Sequence, residues 1–209
     1  MDNTFLTNLR TAYDQQVAER EGKAFPAWKA AERARFLAML QAEKKQTLLE
    51  IGVGTGRDSL FFQQQGLQVI CVDLSPAMVH HCRAKGINAQ VVGFAELAAH
   101  FAPAAFDAIY AINCLLHVPR QDLPGILTQI RTILRPDGLF YWGQYGGVDE
   151  EGIHAGDHYV PKRFFSRYTD AQFQAIATTY FTLEAFSVVP QGGGGDYFHA
   201  ATLRKTGVG

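Results

Sequence analysis

The stretch Thr47-Leu48-Leu49-Glu50-Ile51-Gly52-Val53-Gly54-Thr55-Gly56-Arg57-Asp58 decides how this chain is read. It opens as a short apolar run of strand character and ends in three glycines at alternate positions. A helical pattern over residues 59–65 comes directly after it. Strand, glycine turn and helix in that order form the first half of a βαβ unit. A glycine at the turn leaves no Cβ between the backbone and a ligand. The helix N-terminus then offers free N–H groups and a partial positive charge. A second apolar strand, residues 68–72, runs into Asp73, 19 positions after Gly54. In such folds an acidic residue about 20 residues past the glycines holds a nucleoside ribose. The segment therefore predicts a nucleoside site at the carboxyl ends of parallel strands.

The glycine spacing narrows the ligand. The dinucleotide fingerprint is G-x-G-x-x-G. Read from Gly52 that pattern needs a glycine where Arg57 stands, and read from Gly54 it needs one where Ser59 stands. Glu50 at the strand end would repel a pyrophosphate and suits a cationic amino-acid moiety. The segment Glu50-Ile51-Gly52-Val53-Gly54-Thr55-Gly56 resembles the first motif, roughly E-x-G-x-G-x-G, of the class I S-adenosylmethionine-dependent methyltransferases. The likeness is to the small-molecule members of types 11 and 25. It carries specific motifs over residues 47–142 and pattern alone elsewhere.

Composition is compatible with that reading and excludes others. The chain has 209 residues, 47% of them apolar and 19% charged, which suits one globular domain with a substantial core. Net charge is −1 and no basic tract appears, so no nucleic-acid partner is expected. Cys71, Cys82 and Cys114 form no C-x-x-C pair and no metal-ligand spacing, and they read as buried thiols in a reducing compartment. No run approaches the ~18 apolar residues of a membrane span. A cytoplasmic protein without a membrane partner, monomeric or homodimeric, is the expectation.

Along the chain, Phe5, Leu9, Tyr13 and Val17 recur at helical spacing, as do Trp28, Ala31, Phe36 and Leu40, with Gly22 and Pro26 between the two sets. Two helices are expected in residues 1–46, ahead of a compact unit over 47–209. Ser75-Pro76 opens a helix that stops at Gly86. His80 and His81 are adjacent and face different directions, so they make no metal pair. Residues 89–92 and 106–112 read as the third and fourth strands, the latter apolar enough for the middle of a parallel sheet. After a helix over 123–134, Arg135-Pro136-Asp137-Gly138 makes a turn and residues 139–142 a fifth strand. A polar loop then runs to about Pro161, with His154 and His158 at H-x-x-x-H spacing but Gly156 between them and no helical pattern, so no metal is expected. At the active-site end of a sheet such a loop reads as a lid. Thr169-Asp170-Ala171-Gln172 has capping-box form. Residues 182–189 and 197–203 make two more strands, joined by the glycine run at 191–196, which reads as a mobile hairpin tip.

The resemblance implies the rest. The fold would be α/β, a doubly wound, Rossmann-like sheet of seven mostly parallel strands with the last one antiparallel. A first helical segment, residues 1–46, would cap the cofactor-binding unit. S-adenosylmethionine would be the cofactor, its methionine part held by Glu50, Gly52 and Gly54 and its ribose by Asp73. Gly56, Arg57 and Leu74 would belong to the same site, Met78 would cover an adenine face, and Ala95 and Glu96 would neighbour the adenine, because Phe94 stands where the family often has an acidic residue. Asn113 would sit at a strand tip beside the methyl donor. His117, in the segment Asn113-Cys114-Leu115-Leu116-His117, and Tyr13, in the helices ahead of the sheet, are the catalytic candidates, with His154, His158 and Tyr145 as further candidate bases. The acceptor would be a small molecule. A macromolecular acceptor, a non-catalytic binding module and a nicotinamide dehydrogenase are the rival readings; the absence of an N-P-P-Y-type tetrapeptide speaks against the first and the glycine spacing against the last.

Overall fold

The computed structural model describes Met1 and residues 3–190 and 197–207. Helices α1 (Asn3–Asp14), α2 (Val17–Gly22) and α3 (Ala27–Ala42) precede β1 (Thr47–Ile51). Then come α4 (Arg57–Gln64), β2 (Gln68–Asp73), α5 (Pro76–Ala84), β3 (Ala89–Val91), α6 (Leu97–His100), β4 (Phe106–Ile112), α7 (Leu123–Ile133) and β5 (Leu134–Gly146). The described chain continues through β6 (Glu150–Ile153), β7 (Phe164–Arg167), α8 (Asp170–Tyr180), β8 (Thr182–Pro190) and β9 (Tyr197–Arg204).

Seven strands form one sheet in the order β3-β2-β1-β4-β5-β9-β8. β1 to β5 pair in parallel, and β9 runs antiparallel between β5 and β8. This is the doubly wound sheet with an antiparallel last strand that the resemblance implies. The strand order reverses between β1 and β4, and a crevice opens at their carboxyl ends, where open α/β sheets bind ligands. The glycine turn after β1 and Asn113 after β4 are both at this edge.

Successive residues of a strand face opposite sides of a sheet, and here both sides are covered. Leu49, Ile109 and Phe140 pack with Ile126, Ile130 and Phe173 of α7 and α8. Leu48, Tyr110 and Tyr141 pack with Phe36, Leu40 and Phe62 of α3 and α4. Near-continuous apolar strands are what two-sided burial requires.

Four local expectations are corrected. The first N-terminal helix breaks after Asp14, giving three helices where two were expected. The Asp14 carboxylate turns to another partner, accepting from the Ser75 hydroxyl at 2.5 Å and the Ala77 N–H at 3.2 Å at the start of α5. Strand β2 extends one residue further, to Asp73. β5 begins before the expected turn: Leu134 already pairs with Phe106, and the Arg135–Gly138 segment bulges before regular pairing resumes at Leu139. The polar loop is not wholly irregular, since Glu150–Ile153 pairs antiparallel with Phe164–Arg167 as a separate two-stranded sheet. The hairpin tip expected at 191–196 lies outside the described residues.

Phe36 joins α3 to the sheet. It is buried against Phe62, Tyr110 and Tyr141, with ring centroids 6.4, 5.8 and 5.4 Å away. Phe36→Ala is expected to cost about 3–5 kcal/mol in urea unfolding; a loss under about 1 kcal/mol would mean that α3 is not part of this core.

Candidate functional site

The glycine turn is shaped by close approach. Gly52 has φ +74°, and a Cβ there would stand 2.4 Å from the Cβ of Cys114 at the tip of β4. Gly54 has φ +53°, and a Cβ there would face the Arg20 side chain at 3.7 Å. The Gly54 N–H donates to Asp73 Oδ2 at 2.9 Å, and the Ser75 N–H donates to Asp73 Oδ1, also at 2.9 Å. Each carboxylate oxygen thus accepts one backbone N–H and keeps capacity for another donor. Burial pushes the Asp73 carboxyl above its ordinary value, opposed by these two N–H groups and by Arg20.

Two cavities meet at this turn. The smaller, about 50 Å³, is lined by Asp73, Leu74, Val92 and Phe94 on one side and Leu9 and Arg10 of α1 on the other. The larger, about 490 Å³, is of small-ligand size. It runs past Glu50, Arg57 and Lys29 to Tyr145, Arg163 and Phe165. Gly52, Gly54, Tyr13, Arg20, Asn113 and His117 line both. Asn113 has φ +52°, a conformation that asparagine tolerates better than most residues. Its side-chain oxygen accepts from the Tyr145 N–H at 3.2 Å, so the strained residue also fixes the next strand's tip.

Glu50 lies under the turn with 1% exposure and accepts from the Ser59 hydroxyl at 2.5 Å. Burial, and then the charge of Asp58, push its carboxyl well above the carboxylate range. Asp58 is paired with Arg33 at 3.0 Å, so of the two acids Glu50 is the one held towards neutrality. Arg57 donates to the carbonyls of Arg20 and Glu21 at the end of α2.

The catalytic candidates are brought together. Tyr13 Oη and His117 Nε2 are 2.6 Å apart although 104 positions separate them. His117 Nδ1 lies 2.7 Å from the Phe164 carbonyl, an acceptor only, so Nδ1 carries the proton and Nε2 accepts from the Tyr13 hydroxyl. Arg163 Nη1 donates to the Tyr13 oxygen at 3.1 Å. The Arg163 guanidinium is in turn held by Asp157, at 2.9 and 2.7 Å, and stacks 3.5 Å from the Tyr159 ring centroid. Against the cost of its own burial, Arg163 holds the Asp157 carboxyl well below the usual range. Burial pushes the Tyr13 phenol up, with Arg163 and Arg20 pulling it down. Burial drives the His117 imidazole down to about 3, despite the opposing Phe164 carbonyl. His117 is therefore neutral at physiological pH.

The structure brings Tyr13, Glu50, Gly52, Gly54, Arg57, Asp73, Leu74, Asn113 and His117 to the cavities. It does not bring Gly56, Met78, Ala95 or Glu96 there. Gly56 faces Ile87 and Cys82 under α5, where an added Cβ would meet Ile87 Cδ1 at 2.6 Å. Met78 is fully buried, Glu96 caps its own turn by accepting from the Gly93 N–H, and Phe94 rather than Ala95 reaches the lining. His158 lies 3.8 Å from Glu19 on α2, and His154 lines a separate depression beside Phe165. Among the described residues no group of three or more His, Cys, Asp or Glu is arranged for a metal, and no helix is long and apolar enough to cross a membrane. Sequence reasoning missed Arg20, Lys29, Arg163 and Phe165. They lie in α2, in α3, in the loop before β7 and in β7 itself, with no motif of their own, and only tertiary packing carries them to the cavities.

Residues 49–142 match a family model described as a methyltransferase domain. A tRNA N(3)-methylcytidine methyltransferase of Schizosaccharomyces pombe is 25% identical over 168 residues, 73% of this chain and 55% of that protein. The chain spans from 24% to 55% of the length of the curated relatives it matches. The crystal structure of Burkholderia thailandensis 1,6-didemethyltoxoflavin-N1-methyltransferase, with 1,6-didemethyltoxoflavin and S-adenosylhomocysteine bound, superposes with a TM-score of 0.75 at 23% identity, covering 99% of this chain and 91% of that one. The cyclase SpnF superposes with a TM-score of 0.68 at 16% identity over 97% and 96% of the two chains. At these identities the superpositions speak for the fold.

The neutral, enclosed His117 has a stability consequence. Its folded pKa lies below the unfolded value of about 6.5, so above that pH neither state takes up the proton and the group is silent. As pH falls from 6.5 towards about 3, the unfolded chain binds a proton that the folded one refuses, and stability drops. Between pH 7.5 and 5 the fold is expected to lose about 2 kcal/mol through this residue. Urea unfolding of His117→Gln should lack that component, and a pH dependence equal to the parent's would show that His117 is not held neutral.

Proposed function

We propose that this chain, whose residues 49–142 match a family model described as a methyltransferase domain, moves a methyl group from S-adenosylmethionine to a small-molecule acceptor. One observation carries the reading: the Asp73 carboxylate, lodged at the cleft with each oxygen bound once, faces the cavity beside a glycine turn at whose Gly54 a Cβ would meet only the Arg20 side chain, at 3.7 Å. Two vicinal ribose hydroxyls satisfy such a carboxylate. A pyrophosphate would be repelled by it. The residues present fit the group that the resemblance implies.

S-adenosylmethionine supplies a methyl group already activated on a sulfonium. The protein's part is then largely to hold the two reactants in line. Asp73 fixes the nucleoside end, and Gly52 and Gly54 let the amino-acid end lie against bare backbone. Arg20, lining both cavities, suits a carboxylate there. Residues 1–46 act as a cap, and residues 146–161 as a second cover that meets it where Arg20 donates to the Tyr159 hydroxyl at 3.3 Å.

On the acceptor side, Tyr13 is the group that touches the substrate. Its proton is given to His117 and one lone pair is taken by Arg163, which leaves a second lone pair to receive an N–H or O–H from the acceptor. His117 acts through Tyr13, as a positioning residue with both ring nitrogens engaged. The fixed phenol orients the acceptor's lone pair, and its bond to the acceptor's proton strengthens as that proton becomes acidic.

A macromolecular acceptor is the second reading, and the relative named for tRNA favours it. Against it stand the net charge of −1 and the two covers, which close over a space of small-molecule size.

The test begins with ligand binding. S-adenosylhomocysteine is expected to bind in the micromolar range and raise the melting temperature, since a ligand of the folded state alone stabilises it, and NAD to do neither. Asp73→Asn should weaken S-adenosylhomocysteine by about 10- to 100-fold, the scale of hydrogen bonds to a charged group. Calorimetry that finds tight NAD binding, or unchanged S-adenosylhomocysteine affinity in folded Asp73→Asn, would overturn the assignment. Release of a labelled methyl group onto small acceptors but not onto tRNA separates the two acceptor readings.

A further inference from the structure

The charges around the larger cavity are mostly spoken for. Arg163 is paired with Asp157, and Lys23 with Glu19. Arg57 is held by two carbonyls, and Asp58 by Arg33. Lys29 differs. It projects from the first turn of α3 into the cavity, half-buried, with no hydrogen-bond or ion-pair partner among the described residues. Its ammonium stands 5.3 Å from the Trp28 ring centroid and 6.0 Å from that of Tyr145. Tyr145 belongs to the tip of β5 and lines the same cavity as His117 and Phe165. Burial lowers the Lys29 ammonium below its ordinary value, with Asp58 opposing and Arg20 and Arg57 adding to the shift. A partly desolvated cation with no hydrogen-bond acceptor loses hydration and has only the ring faces and the Asp58 charge in return, and a ligand carboxylate improves that balance.

We infer that Lys29 is the anchor for a carboxylate on the methyl acceptor, and that the acceptor is a planar aromatic acid whose ring lies among Tyr145, Phe165 and Tyr13. The inference rests on the methyltransferase reading and names its substrate class. The walls suit a flat ring: Phe165, Tyr145 and Tyr13 all line the cavity. The two cations differ in what they line. Arg20 reaches the glycine turn and lines both cavities, whereas Lys29 lines only the larger one. Arg20 is thus placed for the amino-acid carboxylate of the donor and Lys29 for a second carboxylate. An acid anchored at Lys29 presents its far side to Tyr13, where a hydroxyl or amine would meet the free lone pair of the phenol. A negatively charged acceptor also favours approach to a sulfonium.

The experiment uses matched pairs of probes: benzoate and benzamide, 4-hydroxybenzoate and 4-hydroxybenzamide, nicotinate and nicotinamide, indole-3-acetate and indole-3-acetamide. Their dissociation constants are measured on the full chain by calorimetry, with and without S-adenosylhomocysteine. At least one acid is expected to bind about tenfold or more tightly than its amide, the scale of a charge-assisted hydrogen bond. Lys29→Gln should abolish that preference while leaving S-adenosylhomocysteine affinity within about twofold and the melting temperature near the parent's, since the ammonium makes no internal hydrogen bond or ion pair among the described residues. No acid outperforming its amide on the parent protein overturns the proposal without any variant. So does a preference that survives in Lys29→Gln, or a Lys29→Gln variant whose main loss is in S-adenosylhomocysteine binding, which would assign Lys29 to the donor. Failure of S-adenosylhomocysteine to bind the parent protein sinks the methyl-transfer reading instead, while the acid and amide pairs measured without it still report on Lys29.

Discussion

The site depends on how closely the tips of β1 and β4 approach each other. Gly52 and Cys114 come so near that the smallest side chain on the glycine would overlap the cysteine, and the Cys114 thiol donates to the Ile51 carbonyl at 3.1 Å. The two central strands are thereby locked together just before they diverge. Past their tips, the glycine turn on one side and Asn113 on the other are set at the edge of the crevice that the change of strand order opens. Burial of Cys114 pushes its thiol far above the ordinary range, so it is a packing group and not a nucleophile.

From that edge the electrostatics divide into two regimes. Around the glycine turn, carboxyl groups are held by backbone N–H groups and by hydroxyls: Asp73 by Gly54 and Ser75, Glu50 by Ser59. Elsewhere in the larger cavity cations lie against rings: Arg163 on Tyr159, Lys29 near Trp28 and Tyr145. The Tyr13 to His117 hydrogen bond lies on the boundary. It joins the helices ahead of the sheet to the segment after β4, and through the Phe164 carbonyl to β7. Three separate parts of the chain are thus tied at one phenol, which is why a position so early in the sequence reaches the cavities at the strand tips.

The sequence made the glycine turn and its surroundings legible and left the rest of the cavity lining dark, for a physical reason. The glycine turn, the acid at the end of β2 and the apolar strands are local patterns, since their spacing is set by the pitch of a strand and the tightness of a turn. The rest of the lining is made of long-range encounters. Nothing near Tyr13 announces His117, and nothing near Lys29 announces Tyr145. The break between α1 and α2 arises from the Asp14 carboxylate reaching α5, again a contact distant in sequence. The short β6–β7 ladder escaped notice because its strands are four residues each and polar on β6, with no apolar alternation to mark them. Where sequence did name residues of that lining, as with His117 and Tyr13, position after a central strand and an aromatic in the helices before the sheet were the clues. Their mutual contact was not.

The placement of β9 has a consequence of its own. β8 touches the sheet only through β9, which comes after it in the chain. The free edge of β5 therefore stays unpaired after β8 has been synthesised, until β9 threads between the two. A chain cut short between β8 and β9 would forfeit both strands from the sheet, leaving Tyr145 and the whole outer edge of β5 bare. The parallel side of the sheet carries its own case: β1 keeps one edge open until β4, which follows β2 and β3 in the chain, pairs with it.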